Sequence, residues 1–154
     1  MTMEELFFDV YNKFKLHFYK DVFVNFGNRE ATLTTVETFC MEVIYAMNKP
    51  TISEFAKFVG ISPPNAAYKV NCLVKKGYLN RIPSSADRRE AYLEVTDKYL
   101  DYFNFSVNYA NTVISRMKDN LSKEDLEALT RILNIMTSEM MPEVPDFKNR
   151  EIPQ

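Results

Sequence analysis

Residues 51–98 read TISEFAKFVG ISPPNAAYKV NCLVKKGYLN RIPSSADRRE AYLEVTDK, and this run decides the fold. Thr51 and Glu54 have capping-box spacing, in which a hydroxyl and a carboxylate each satisfy an orphan backbone N–H, so a short helix starts here. Ile52, Phe55, Ala56 and Val59 form its inward stripe, and Gly60 stops it. Ser62 is placed to cap a second helix. Pro63 and Pro64 fall in its first turn, where a missing N–H costs nothing, and Ala66, Val70, Leu73 and Val74 make its buried stripe before Lys75, Lys76 and Gly77 end it. Two short helices joined through Val59–Ser62 predict a helix-turn-helix. The period then changes. Tyr78–Ile82 and Tyr92–Thr96 are β-branched and aromatic enough for strands, and the polar run Pro83–Ala91 between them predicts a hairpin with a charged tip.

Upstream, Thr34 and Glu37 repeat the capping-box spacing for a helix carrying Val36, Phe39, Cys40, Val43, Ile44 and Met47, closed by Pro50. The opening segment, residues 3–26, places Phe7, Val10, Phe14, Phe18 and Val22 on one helical stripe. Phe8, Tyr11, Tyr19, Phe23 and Phe26 fill the remaining circumference. A helix apolar all round must be covered on several sides, and a second copy of the chain is the economical cover. Downstream, Thr96 is placed as N-cap of a long helix with Leu100, Phe103, Val107, Ala110, Ile114, Met117 and Leu121 at intervals of three and four. Ser122 and Asp125 open a last helix, with Leu121 and Leu126 spaced as a hydrophobic staple and Leu126, Leu129, Leu133, Met136 and Met140 as its stripe. The expected fold is mainly α with a small β-hairpin wing. The 154 residues make a single domain, with a winged helix-turn-helix lobe at 33–98, dimerisation helices at 1–26 and 99–141, and an irregular tail at 142–154.

Composition narrows the function classes. The chain is 46% hydrophobic, with 12 Phe, 9 Tyr and 8 Met, which excludes a disordered chain and leaves apolar surface for a partner. No stretch approaches the roughly 20 apolar residues of a membrane span, and the first residues are acidic, so a cytoplasmic protein without membrane contact is expected. Cys40 and Cys72 lack metal-ligand spacing and His17 is the only histidine, so no metal site is expected and both thiols read as free. Three glycines form no phosphate-cradling loop. With one histidine no catalytic constellation can be assembled; no catalytic residue, cofactor or enzymatic activity is expected. Net charge is −2, but residues 51–98 hold eight cations against five carboxylates, a net of +3 that leaves −5 elsewhere. A basic middle between acidic flanks suits a protein whose centre meets phosphates.

The order of helix, helix, helix-turn-helix, charged hairpin, long helix and helix resembles the MarR family of bacterial transcriptional regulators. The resemblance is carried by residues 51–62, 73–81 and 87–96. The last is the most diagnostic, since Asp87, Arg89 and Thr96 stand where that family has an Asp-x-Arg wing followed by a strand ending in Thr. The resemblance implies a homodimer with intertwined first and last helices, a regulator of transcription by sequence-specific binding to double-stranded DNA, with repression the expected sign. Small ligands in the family bind near the first helix and the hinge to the DNA-binding lobe. A small apolar or aromatic effector is therefore implied, with Phe14, His17, Phe18 and Phe39 as its candidate contacts. The recognition helix departs from many members in carrying Pro63, Pro64, Asn65 and Tyr68, so no operator sequence carries over.

On the helix from Pro63 the buried stripe fixes the opposite face, which a helical wheel assigns to Pro64, Asn65, Tyr68, Asn71 and Lys75, with Lys69 and Cys72 on the flanks. With the cap Ser62, these are the candidate DNA contacts. Asn pairs bidentately with adenine, Tyr contacts phosphate or a thymine methyl, and Lys contacts phosphate or guanine. At the hairpin tip Arg88 and Arg89 reach toward a minor groove, with Asp87 placed to orient a guanidinium. The alternative, a winged-helix protein-interaction module, requires basic residues at neither place.

Overall fold

The computed structural model describes residues 1–28, 33–148 and 150. Its order is α1 (Met3–Asn28), α2 (Thr35–Ala46), α3 (Ile52–Val59), α4 (Pro63–Lys75), β1 (Leu79–Pro83), β2 (Ala91–Val95), α5 (Asp97–Asn120) and α6 (Lys123–Ile135), the last running into a π-helical turn at Met136–Met140. The chain divides into two compact units: Met1–Ala31 with Phe103–Val144, and Thr32–Tyr102 with Pro145–Gln154. Side chains at 25–28 and 102–106 lie outside the described residues, and with them the expectations for Phe26 and Phe103. Of the 142–154 segment, residues 149 and 151–154 lie outside as well.

In the second unit the local signals act as the spacing predicts. The Thr34 hydroxyl accepts the Glu37 N–H at 3.2 Å while the Glu37 carboxylate accepts that of Thr34 at 2.8 Å; Thr51 and Glu54 close the same box at 3.2 and 3.3 Å. Gly60 takes φ +72°, a left-handed conformation that glycine adopts without penalty, and ends α3. Gly77, at φ +82°, ends α4 as a Schellman turn: its N–H reaches the Val74 carbonyl and the Tyr78 N–H reaches that of Leu73, both at 3.0 Å. The core gathers Met41 and Ile44 of α2, Phe55 and Ala56 of α3, Ala66, Val70 and Leu73 of α4, Leu79 and Leu93 of the hairpin, and Tyr99 at the start of α5.

The hairpin is antiparallel, with Leu79 opposite Val95, Arg81 opposite Leu93 and Pro83 opposite Ala91. Both strands begin one residue away from their expected starts. Tyr78 still joins the ladder, since its carbonyl accepts the Thr96 N–H at 3.0 Å. The base of the hairpin is tied to the helix-turn-helix by the Leu93 N–H, which donates to the Pro50 carbonyl at 2.8 Å, and by a bridge between Thr51 and Tyr92. At the start of α5 the Thr96 carbonyl accepts the N–H groups of Tyr99 and Leu100 at 3.0 and 3.1 Å, and the Thr96 hydroxyl donates to the Gly77 carbonyl at 2.6 Å, a carbonyl left without a helical partner by the end of α4. Residues 142–148 and 150 form no helix or strand. Two of their side chains nonetheless dock on this unit, Phe147 edge-on to Phe58 at 5.6 Å and Arg150 paired with Glu54.

In the first unit none of the described side chains is buried. α1 leaves Phe7, Phe8 and Phe23 53%, 61% and 79% exposed. At α6 the Ser122 hydroxyl accepts the Asp125 N–H at 3.1 Å, but Asp125 is too short to close the box and accepts the hydroxyl proton of Ser122 instead, at 2.6 Å. Leu121, the expected staple residue, is 42% exposed.

Candidate nucleic-acid interface

α4 is the second helix of the helix-turn-helix, and burial of Ala66, Val70 and Leu73 turns its other face outward. Ser62, Pro63, Pro64, Asn65, Tyr68, Asn71 and Lys75 are exposed, with Lys69 and Cys72 half-exposed on the flanks. Tyr68, the one aromatic residue of this helix, is 70% exposed.

Helix N-termini bind phosphate through unpaired backbone N–H groups, but the first turn of α4 has few to give. Pro63 and Pro64 have none, the Asn65 N–H is taken by the Ser62 hydroxyl at 3.3 Å, and that of Ala66 by the Ser62 carbonyl at 3.0 Å. The end of α4 therefore offers an anion little, and its exposed side chains offer more. Two of the eight cations in residues 51–98 serve the fold itself. Lys76 pairs with Glu37 at 2.7 Å, and Lys98 donates to the Lys76 carbonyl at 2.8 Å while lying over the Tyr78 ring. Burial raises the Glu37 carboxyl, but Lys76 and the Thr34 N–H and hydroxyl outweigh it and hold the group below the usual carboxylate range.

The wing tip is built around Ser84 and Asp87. Ser84 is buried, and its hydroxyl accepts the N–H groups of Ala86 and Asp87 at 3.2 and 3.3 Å. The Asp87 carboxylate accepts the backbone N–H of Arg89 at 2.9 Å, so in this structure it shapes the turn that presents Arg88 and Arg89. Both arginines are exposed.

One residue absent from the expected set joins the two surfaces. Arg81, exposed on β1, hydrogen-bonds through its guanidinium to the Oδ1 atom of Asn71 on α4. Strand alternation carries the signal, because Arg81 shares a face with Leu79, two residues away and buried toward the helices.

The candidate effector contacts are distributed over both units. In the first, the His17 ring stacks on Tyr109 with centroids 3.7 Å apart, Phe14 meets the same Tyr109 edge-on at 5.6 Å, and Phe18 is half-buried beside Tyr19. His17 Nδ1 lies 3.1 Å from Asp21. Phe39 belongs to the other unit and is 45% exposed on α2. Cys40 is buried and Cys72 half-buried, both as free thiols; burial pushes the Cys40 thiol up. Among the described residues no three His, Cys, Asp or Glu side chains gather as a metal site would need, and no helix is long and apolar enough to cross a membrane.

Residues 33–91 match the family model described as MarR family. Among solved structures of the same fold is a transcriptional regulator from Thermotoga maritima, 23% identical with a TM-score of 0.65, covering 89% of this chain and 95% of that one. FabT of Streptococcus pneumoniae, solved in complex with DNA, is 20% identical with a TM-score of 0.61 over 90% of this chain and 94% of its own. MepR of S. aureus bound to ethidium bromide is 17% identical with a TM-score of 0.57 over 91% and 97%. No curated protein matches the chain by sequence.

Proposed function

We propose, from a MarR-family domain at residues 33–91 set in a winged helix-turn-helix fold, that this chain is a homodimeric regulator of transcription that binds double-stranded DNA and represses the genes it controls. The observation that carries the reading is the outward face of α4, where Ser62, Pro64, Asn65, Tyr68, Asn71 and Lys75 are exposed with Lys69 on the flank, next in chain order to a wing tipped by Asp87, Arg88 and Arg89. An α-helix fits the major groove of B-DNA and a basic hairpin tip the minor groove, so the two surfaces have complementary tasks.

Dimerisation is supported by the first unit, whose described side chains include none that is buried although α1 alone carries Phe7, Phe8, Phe14 and Phe23 at 38% exposure or more. So much apolar surface on one unit is characteristic of an interface. A small apolar or aromatic effector held by Phe14, His17 and Phe18 relieves repression; a flat aromatic ligand suits the stacked pair His17 and Tyr109. MepR, of the same fold, is solved with the aromatic cation ethidium.

The test is a mobility-shift titration of the full chain against the DNA upstream of its own coding sequence and against a scrambled duplex of equal length. Binding to the first at least about a thousandfold tighter than to the second is expected. Equal, weak binding to both assigns the fold to a protein partner instead.

A further inference from the structure

We infer that the docked tail is a strap: held on the helix-turn-helix lobe through Phe147 and Arg150, it limits the travel of that lobe against the unit that contains α6. The chain passes from the first unit to the second at Val144–Pro145, so α6 and the docked side chains belong to different units. Phe147 meets Phe58 and Arg150 pairs with Glu54, one helical turn earlier on α3, so the tail runs antiparallel to that helix. Arg150 also lies over the Tyr92 ring at 5.9 Å, and its side chain is only 18% exposed. An isolated ion pair on an open surface holds little. A guanidinium covered to this degree, stacked on an aromatic of β2 and paired with a carboxylate of α3, is an anchor.

The tether leading to this anchor is short. Between Met141, just past the π-helical turn, and Phe147 the chain spans at most about 20 Å when fully extended. Its real reach is less. Pro142 and Pro145 stiffen it, the Val144 N–H donates to the Met141 carbonyl at 3.3 Å, and the Lys148 N–H donates to the Asp146 carboxylate at 2.9 Å. The chain also crosses between the units inside α5, at Tyr102–Phe103. One crossing helix leaves hinge bending and twisting open, whereas a further attachment of fixed length at another point of the lobe removes much of that freedom. Phe147 and Arg150 are positioning residues in this account. One consequence rests on the DNA-binding reading above: in a dimer the strap would hold the two recognition helices to one half-site spacing.

The experiment measures the distance between nitroxides on Ser53 of α3 and Glu124 of α6, both exposed. Doubly labelled chains are diluted into unlabelled protein so that only distances within one chain are read. Three full-length forms are compared: the unaltered sequence, one with a short Gly-Ser insertion between Val144 and Pro145, and F147A/R150A. An insertion of about six residues leaves both anchors able to dock but lengthens the tether by up to about 20 Å. The distance distribution should therefore broaden about twofold or more in the insertion variant and in F147A/R150A alike. Melting separates a strap from a mere buttress, since the insertion should leave the melting temperature unchanged while F147A/R150A lowers it. An insertion variant as narrow as the unaltered protein overturns the inference, as does an unaltered distribution already as broad as that of F147A/R150A. If F147A/R150A fails to fold, the insertion variant decides alone. On operators whose half-sites are moved apart by about two base pairs, the unaltered protein should lose on the order of tenfold in affinity and the insertion variant markedly less. Equal losses overturn the half-site consequence. A protein that selects no operator, yet whose distributions broaden as stated, loses the DNA-binding reading and keeps the strap.

Discussion

The Tyr99 hydroxyl donates to the Glu42 carboxylate at 3.0 Å, joining the first turn of α5 to α2 inside the lobe. Tyr99 is completely buried. Burial raises the Glu42 carboxyl above its ordinary range, and the bond from Tyr99 only partly offsets this. A carboxyl whose pKa is higher folded than unfolded contributes stability that is full below the unfolded value and is lost as pH rises through the folded one. Glu42→Gln keeps an acceptor for Tyr99 without the charge. It should be more stable than the original at neutral pH, with the advantage vanishing below about pH 4, where an ordinary Glu is protonated in both states. Urea titrations across pH 3–8 decide this; a variant less stable at neutral pH would count against it. Tyr99→Phe leaves Glu42 buried without this donor and should cost about 1–3 kcal/mol.

The exposed aromatics of α1 predict obligate dimerisation. Sedimentation at micromolar concentration should find no monomer. Deleting residues 1–20 should abolish dimerisation and operator binding together, since two recognition helices must be held about 34 Å apart to reach successive turns of one groove. A stable, ordered monomer that still binds its operator would remove the dimer from the mechanism.

Wing and recognition helix should fail in different ways. Arg89→Ala removes a charge and should weaken binding to every sequence, lowering the slope of log affinity against log salt by about one unit for each phosphate that its guanidinium neutralises. Asn65→Ala and Tyr68→Ala remove uncharged groups. They should cost on the order of 1–3 kcal/mol on the operator and little on random DNA, with the salt slope nearly unchanged. Small and equal effects from all three, measured on operator and scrambled duplexes, would detach both surfaces from DNA.

The docked tail predicts a stability effect confined to one unit. Ending the chain at Val144 removes Phe147 from Phe58 and Arg150 from Glu54, and should cost on the order of 1–3 kcal/mol, the value of burying about one aromatic side chain. Glu54 is raised by its own burial but held low overall by Arg150 and the Thr51 cap, so that part of its stability is lost as pH falls through its depressed pKa. The truncated chain should accordingly lose less stability on acidification than the full chain; parallel acid titrations of the two would reveal the difference.

Signals that act within one turn were legible in the sequence. Thr34 with Glu37, Thr51 with Glu54, Ser62, Gly60 and Gly77 each bond within five residues, so spacing alone identifies their partners. The outward face of α4 was legible for a related reason, since a helix that buries Ala66, Val70 and Leu73 has only one other side to offer. Where the partner is distant, local spacing does not identify it. Thr96 is a good N-cap by composition, but nothing local announces that its hydroxyl donates to the Gly77 carbonyl, 19 residues back. Arg81 is one of the eight cations of residues 51–98, and its bond to Asn71 depends on where the hairpin lies against α4. The tail has the polar, proline-containing composition of an irregular segment, and nothing local announces that Phe147 and Arg150 find partners on α3.

The backbone bond from Leu93 to Pro50 also sets two clocks in the wing. Its amide is shielded in the core, so deuterium should replace its hydrogen only when the whole lobe opens. The amides of Ala86, Asp87 and Arg89 are held by side-chain oxygens of Ser84 and Asp87 within an exposed tip and should exchange orders of magnitude sooner. A hairpin slow at its base and fast at its end can search a groove with its arginines while the register that aims them does not drift.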